Sequence, residues 1–113
     1  MDVNPWDVVT LAFPFTEGIG DKERPAVVLS EPLYNDLGFV IVAMITSAQF
    51  EAWPWDVPIQ DLDRAGLTRP CVVRINLVTA DAVRILAVSG DLAPPDRKKV
   101  LTALRATIVS SPA

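Results

Sequence analysis

The chain has 113 residues, half of them apolar, with 14 acidic and 10 basic side chains and a net charge of −4. That is the scale of one small domain with a real core, and it excludes a disordered chain. One cysteine and no histidine exclude an internal disulfide, cysteine-rich zinc sites and every nucleophile pair that needs an imidazole, while the acidic balance argues against a general nucleic-acid coater.

Residues 7–13, Asp7-Val8-Val9-Thr10-Leu11-Ala12-Phe13, predict a strand with apolar residues on both faces. Residues 14–23 break it with Pro14, Gly18, Gly20 and four charges. Residues 24–30 predict a second strand, with Pro25 near its start, where proline is tolerated. A connection this long is unusual between paired strands, and long ordered loops are often functional. Residues 31–38 predict a polar turn. Residues 39–46 form the most apolar strand, expected at the centre. The apolar run at 39–45 is far short of the roughly 18 residues of a membrane helix, and the N-terminus lacks the basic start and apolar segment of a signal peptide. A soluble, cytoplasmic protein is therefore expected.

Residues 53–59, with Pro54 and Pro58, predict an edge strand on which Trp53 and Trp55 share a face. Residues 60–66 predict a helical turn ended by Gly66. Residues 70–78 and 83–88 predict two further strands. Residues 94–108 predict one amphipathic helix with Pro94 and Pro95 in its first turn and a stripe of Leu101, Leu104 and Ile108 with Val100 alongside. No repeat, linker or low-complexity segment stands out. The expectation is a single domain over 1–113, mainly β with little α: a small, strongly curved barrel with the C-terminal helix packed on it.

Candidate chemistry must use arginine, lysine, carboxylates, hydroxyls or backbone groups. Arg24 stands where the long loop meets a strand; its guanidinium can fork onto a phosphate and stabilise developing negative charge. Taken alone, the segment fits a strand-end surface arginine better. Thr46-Ser47 ends the apolar strand and can donate to phosphate oxygens, although threonine is also simply a good strand residue. Arg74 shares a strand face with Asn76 and either meets solvent or pairs with something. If these strand ends meet, Arg24, Thr46 and Arg74 form one cationic, hydroxyl-bearing pocket. Phe50, Trp53 and Trp55 could stack unpaired bases beside it, or bury in the core or at a subunit interface. Cys71 reads as an inert core residue. The carboxylates show no metal-site spacing, so no metal or other cofactor is expected.

In order along the chain, Asp7-Val8-Val9, Phe13-Pro14-Phe15-Thr16, the segment from Arg24-Pro25 to Ser30, the segment from Ile41 to Thr46-Ser47, and Val72-Val73-Arg74 resemble the MazF/PemK/Kid toxins of bacterial toxin–antitoxin pairs. The resemblance implies an SH3-like barrel, a homodimer, and a metal-independent endoribonuclease. Such an enzyme cuts single-stranded RNA by attack of the ribose 2′-OH, leaving a 2′,3′-cyclic phosphate and a 5′-OH. It also implies a cognate antitoxin whose flexible tail blocks the RNA groove. By the same resemblance Arg24, Thr46 and Arg74 are catalytic and Ser47 contacts RNA; Lys22, Phe50, Trp53 and Asn76 are expected to contact RNA beside them. Asn76 stands where relatives carry an aspartate, and the loop histidine some of them use is missing, which leaves Glu17 or Glu23 as candidate bases. Trp6 replaces a glycine usual before the first strand. Two alternatives share the fold: a CcdB-like toxin that binds gyrase, and a degenerate member that only binds its antitoxin.

Overall fold

The computed structural model describes residues 2–14 and 21–109. Among them, six strands form one antiparallel sheet in the order β4-β5-β3-β2-β1-β6: β1 Asp7–Pro14, β2 Asp21–Val28, β3 Phe39–Ser47, β4 Val57–Pro58, β5 Cys71–Asp81 and β6 Ile85–Asp91. Helices α1 (Pro32–Asn35), α2 (Leu62–Ala65) and α3 (Pro94–Thr107) fill the connections and the C-terminal end. None of these helices is long and apolar enough to cross a membrane.

Apolar residues on both faces of β1, β2 and β3 mean that both faces must be covered. On one face Val8, Val27, Ala43, Ile45 and Val73 pack against Leu92, Val100 and Ala103 beneath α3, with Ala65 of α2 and Val57 of β4. On the other, Val9, Leu11, Ala26, Val28, Val40 and Val42 pack against Ile85, with Val78 and Ala80 of β5 folded over them. The second cluster fills the inside of a curl. Register shifts in the β1–β6 and β3–β5 ladders supply the extra twist that bends the sheet. The expected curved, barrel-like fold is present, but β4 and β6 do not pair, so the ladder stays open.

Several expectations shift. Residues 53–56 form a turn rather than an edge strand, and only Val57–Pro58 pairs with β5. Residues 82–84 form a 3₁₀ turn, so the last strand starts at Ile85. The polar turn at 31–38 contains α1. In α3 the buried face is Asp96, Val100 and Ala103, while Leu101 and Ile108 are exposed. The helix lies on the sheet along the line of residues 96, 100 and 103, so small Ala103 sets a close approach. Buried Asp96 accepts the backbone N–H groups of Gln60 and Asp61, tying the β4–α2 connection to the start of α3. Asp91 joins the two helices, accepting from Arg64 of α2 and Arg97 of α3. Backbones approach closely there: a Cβ on Gly90 would overlap the carbonyl of Arg64.

The first strand opens from a turn at Asn4-Pro5-Trp6-Asp7. Asp7 N donates to Asn4 O at 3.1 Å, and the Asp7 carboxylate accepts Asn4 N at 2.8 Å. Trp6 has φ 77°, the left-handed conformation that suits glycine. The residue departs from glycine, yet the turn is kept: Trp6 N donates to Val28 O, Trp6 O accepts Leu92 N, and its ring packs on the α3 side of the core.

Candidate functional site

Strand alternation gathers the site. Arg24 faces the same side of β2 as Ala26, Thr46 the same side of β3 as Val42, and Arg74 and Asn76 the same side of β5 as Val78. That side is the inside of the curl. At its open end Arg24, Thr46, Arg74 and Asn76, with Phe13, Met44, Phe50 and Val78, line a cavity of about 500 Å³. The wall is apolar at its base, where the second core cluster ends, and carries guanidinium, hydroxyl and amide groups above it.

A second cavity, of about 430 Å³, adjoins the first. Arg24, Ile45, Thr46 and Phe50 belong to both, and Ser47, Gln49, Thr68, Arg69 and Cys71 line the far side. Arg24 and Thr46 therefore stand on a ridge between two hollows. Cys71 is buried in the sheet, and that burial pushes its thiol up, with Arg69 only partly opposing it.

Arg74 pairs rather than facing solvent. Its Nε and Nη2 donate to the two oxygens of Asp56 at 3.1 and 2.9 Å, and Nη2 also donates to Glu51 O at 2.8 Å. Its guanidinium lies over the Trp53 ring, 4.6 Å from the centroid. The Arg74 and Asp56 side chains are only 11% and 9% exposed. Burial pushes the Asp56 carboxyl up, but the hydrogen bonds from Arg74 and from Trp53 N, with the Arg74 charge, outweigh it and hold it below the usual carboxylate value. The hydrogen bonds that Arg74 donates to Asp56 raise the arginine in turn.

Asp56 was invisible to strand periodicity because it is presented by a turn. In Trp53-Pro54-Trp55-Asp56, Asp56 N donates to Trp53 O, the Asp56 carboxylate accepts Trp53 N at 2.9 Å, and Trp55 has φ 70°. This is the turn of Asn4-Pro5-Trp6-Asp7 built a second time. The sequence did hold a short repeat, Pro-Trp-Asp, and it is the signal that would have located Asp56. Trp53 and Trp55 consequently do different things: one stacks on Arg74, the other occupies the strained corner of the turn.

Of the other anticipated contacts, Ser47 lines the second cavity, and Lys22 shares the face of Arg24 nearer the loop but lines neither hollow. Glu23 alternates to the opposite face of β2 from Arg24, which removes it from the cavity wall. Glu17, with Phe15 and Thr16, lies outside the described residues. Among the described residues no three carboxylate or thiol groups cluster as metal ligands would.

The sequence matches the family of PemK-like, MazF-like toxins of type II toxin–antitoxin systems over residues 4–108. No curated protein sequence matches it. Among solved structures, a MazE–MazF complex from Deinococcus radiodurans (Form-III) superposes with a TM-score of 0.75 at 21% identity, covering 94% of this chain and 95% of that one. The Mycobacterium tuberculosis toxin MazF-mt6 gives 0.71 at 22% identity, covering 88% and 93%. An endoribonuclease in complex with its cognate antitoxin, from a mycobacterial species, gives 0.71 at 18% identity, covering 92% of each chain. At these identities the likeness is one of fold.

Proposed function

This chain belongs to the PemK-like, MazF-like toxins of type II toxin–antitoxin systems, and from that premise we propose that it is an endoribonuclease that cuts single-stranded RNA without a metal ion. The observation that carries the reading is the convergence of Arg24, Thr46 and Arg74 on one cavity wall. Three donors from three strands, two of them guanidinium groups, suit a phosphodiester whose charge grows during attack.

The RNA phosphate sits against Arg24 and Thr46, with Arg74 on its other side. The ribose 2′-oxygen attacks phosphorus and the bond to the 5′-oxygen breaks, giving a 2′,3′-cyclic phosphate and a 5′-OH. The 2′-OH proton passes to solvent and the leaving oxygen regains one. The described lining residues are donors, not bases: Asp56 is committed to Arg74 and Glu23 faces away. From the described residues, catalysis draws on alignment and on charge complementarity to the pentavalent phosphorane. Phe50, exposed at the rim of both hollows, and the open face of Trp53 provide stacking surfaces for flanking bases. Asn76 and Ser47 add hydrogen-bond donors on either side of the ridge.

The same reading supplies two partners: a cognate antitoxin whose tail occupies the RNA groove, and a second copy of this chain. Exposed Leu86 and Val88 on β6, whose outer edge is unpaired in the sheet, offer apolar surface to that copy.

The test is cleavage of a long RNA in EDTA by the purified chain and by Arg24→Ala. The expected products end in 2′,3′-cyclic phosphate and 5′-OH, and Arg24→Ala is expected to lose about 10²–10³ in kcat. Equal activity in the two proteins, no cleavage of varied RNAs, or a requirement for added metal would overturn the proposal.

A further inference from the structure

Arg74 is fixed from outside the cavity that it lines. Of its five guanidinium N–H groups, the one on Nε and both on Nη2 are taken by Asp56 and Glu51 O, and one face of the guanidinium plane lies over the Trp53 ring. A planar group held by two bonds along one edge, by a third at its end and by a stacked ring has little freedom left to rotate. The remaining N–H pair, on Nη1, lies off the edge that Asp56 occupies.

We propose that Asp56 is the positioning residue of this site: it holds Arg74 so that the Nη1 donors meet the scissile phosphate in one fixed orientation. The inference rests on the ribonuclease reading above. Three features of the turn at residues 53–56 support it. Pro54 fixes φ ahead of the corner. Trp55 stands in a left-handed conformation, φ 70°, that is unfavourable for a non-glycine residue. Asp56 also accepts Trp53 N, so its carboxylate cannot swing away when Arg74 moves. The turn presents the Asp56 carboxylate to Arg74 and holds it there.

The pairing also changes what Arg74 offers. With Asp56 beside it, part of the Arg74 charge is compensated, so the directed hydrogen bonds from Nη1 carry more of its role. Lysine cannot make the fork that this requires, and Arg74→Lys should behave like the loss of Asp56.

The experiment is steady-state cleavage of a fluorogenic RNA by the full chain, comparing Asp56→Ala, Arg74→Ala and the double variant, with thermal melts of each. Each single change is expected to lower kcat about 10–100-fold with KM moved less than about twofold. The double variant should be no slower than Arg74→Ala. Asp56→Asn, which keeps the shape and one acceptor, should fall between Asp56→Ala and the parent. An unchanged kcat in Asp56→Ala, or losses that multiply in the double variant, would overturn the inference. Should Asp56→Ala fail to fold, the parent protein still decides: a slowly exchanging Arg74 Nε–H resonance in nitrogen-15 spectra supports pinning, and its absence refutes it. If the parent cuts no RNA and Arg24→Ala is no different, the ribonuclease reading falls and the catalytic half of this inference falls with it. The resonance would then report on the pinning alone.

Discussion

Two tryptophans occupy backbone positions that suit glycine, and they should respond in opposite ways. Trp55 is 55% exposed, so Trp55→Gly removes strain and little packing. We expect its melting temperature to stay level or rise by a few degrees. Trp6 also holds a left-handed turn, but its ring packs on the core beneath α3. Trp6→Gly should cost about 2–3 kcal/mol, because lost burial outweighs the relief of strain. Thermal unfolding of both variants checks the pair; equal shifts would show that backbone strain alone governs these positions. At this scale the sequence was legible wherever a candidate residue sat on a strand. Arg24 opens an apolar run, Thr46 ends one, and Arg74 and Asn76 interrupt one, and the alternation of each strand fixes their face. Periodicity and turn preferences both missed Asp56, since a turn has no period to read and its corner is a tryptophan; only the repeated Pro-Trp-Asp marks it.

The elements are joined by carboxylates rather than by loops alone. Asp91 accepts from Arg64 of α2 and Arg97 of α3, and the bond from Arg64, against a smaller desolvation penalty, holds it below its ordinary value. A carboxyl that is more acidic in the folded chain than in the unfolded one stabilises the fold fully above the ordinary carboxylate range, near pH 4. That contribution drains away as pH falls through the folded value. The prediction is a melting temperature that drops from about pH 5 downward, with a shallower drop in Asp91→Asn, which should already melt lower at pH 7. Asp56, lowered by Arg74, adds to the same limb. Scans of melting temperature against pH measure both. Most elements could be read from their punctuation: Pro94-Pro95 opened α3, and Gly66 closed α2 with φ 73°. The face of α3 could not, because Leu101 and Ile108 look as apolar as Val100 and only the packing of Ala103 on the sheet chooses between them.

The whole molecule is acidic, yet its curl ends in a donor-rich cavity. Arg24 and Arg74 are the two guanidinium groups at that wall, so binding should engage one or two phosphates rather than a long track. A non-cleavable 2′-deoxy analogue should show log Kd changing with log salt at a slope of magnitude about 0.7–1.4. A slope of magnitude above about 4 would mean an extended basic surface and would contradict the cavity as the binding site. The curled sheet was legible as a class from many short strands and one helix. That the ladder stays open was not, since closure depends on the register shifts along β1 and β5, which no local pattern encodes.

Among the described residues, the ridge carrying Arg24 and Thr46 has a hollow on each side. A polymer laid across it extends into both hollows, so neither of its ends is needed for binding there. Covalently circular RNA, which offers no end to grip, should be opened as readily as its linear counterpart, whereas a strict preference for the linear form would mean that the strand enters by threading.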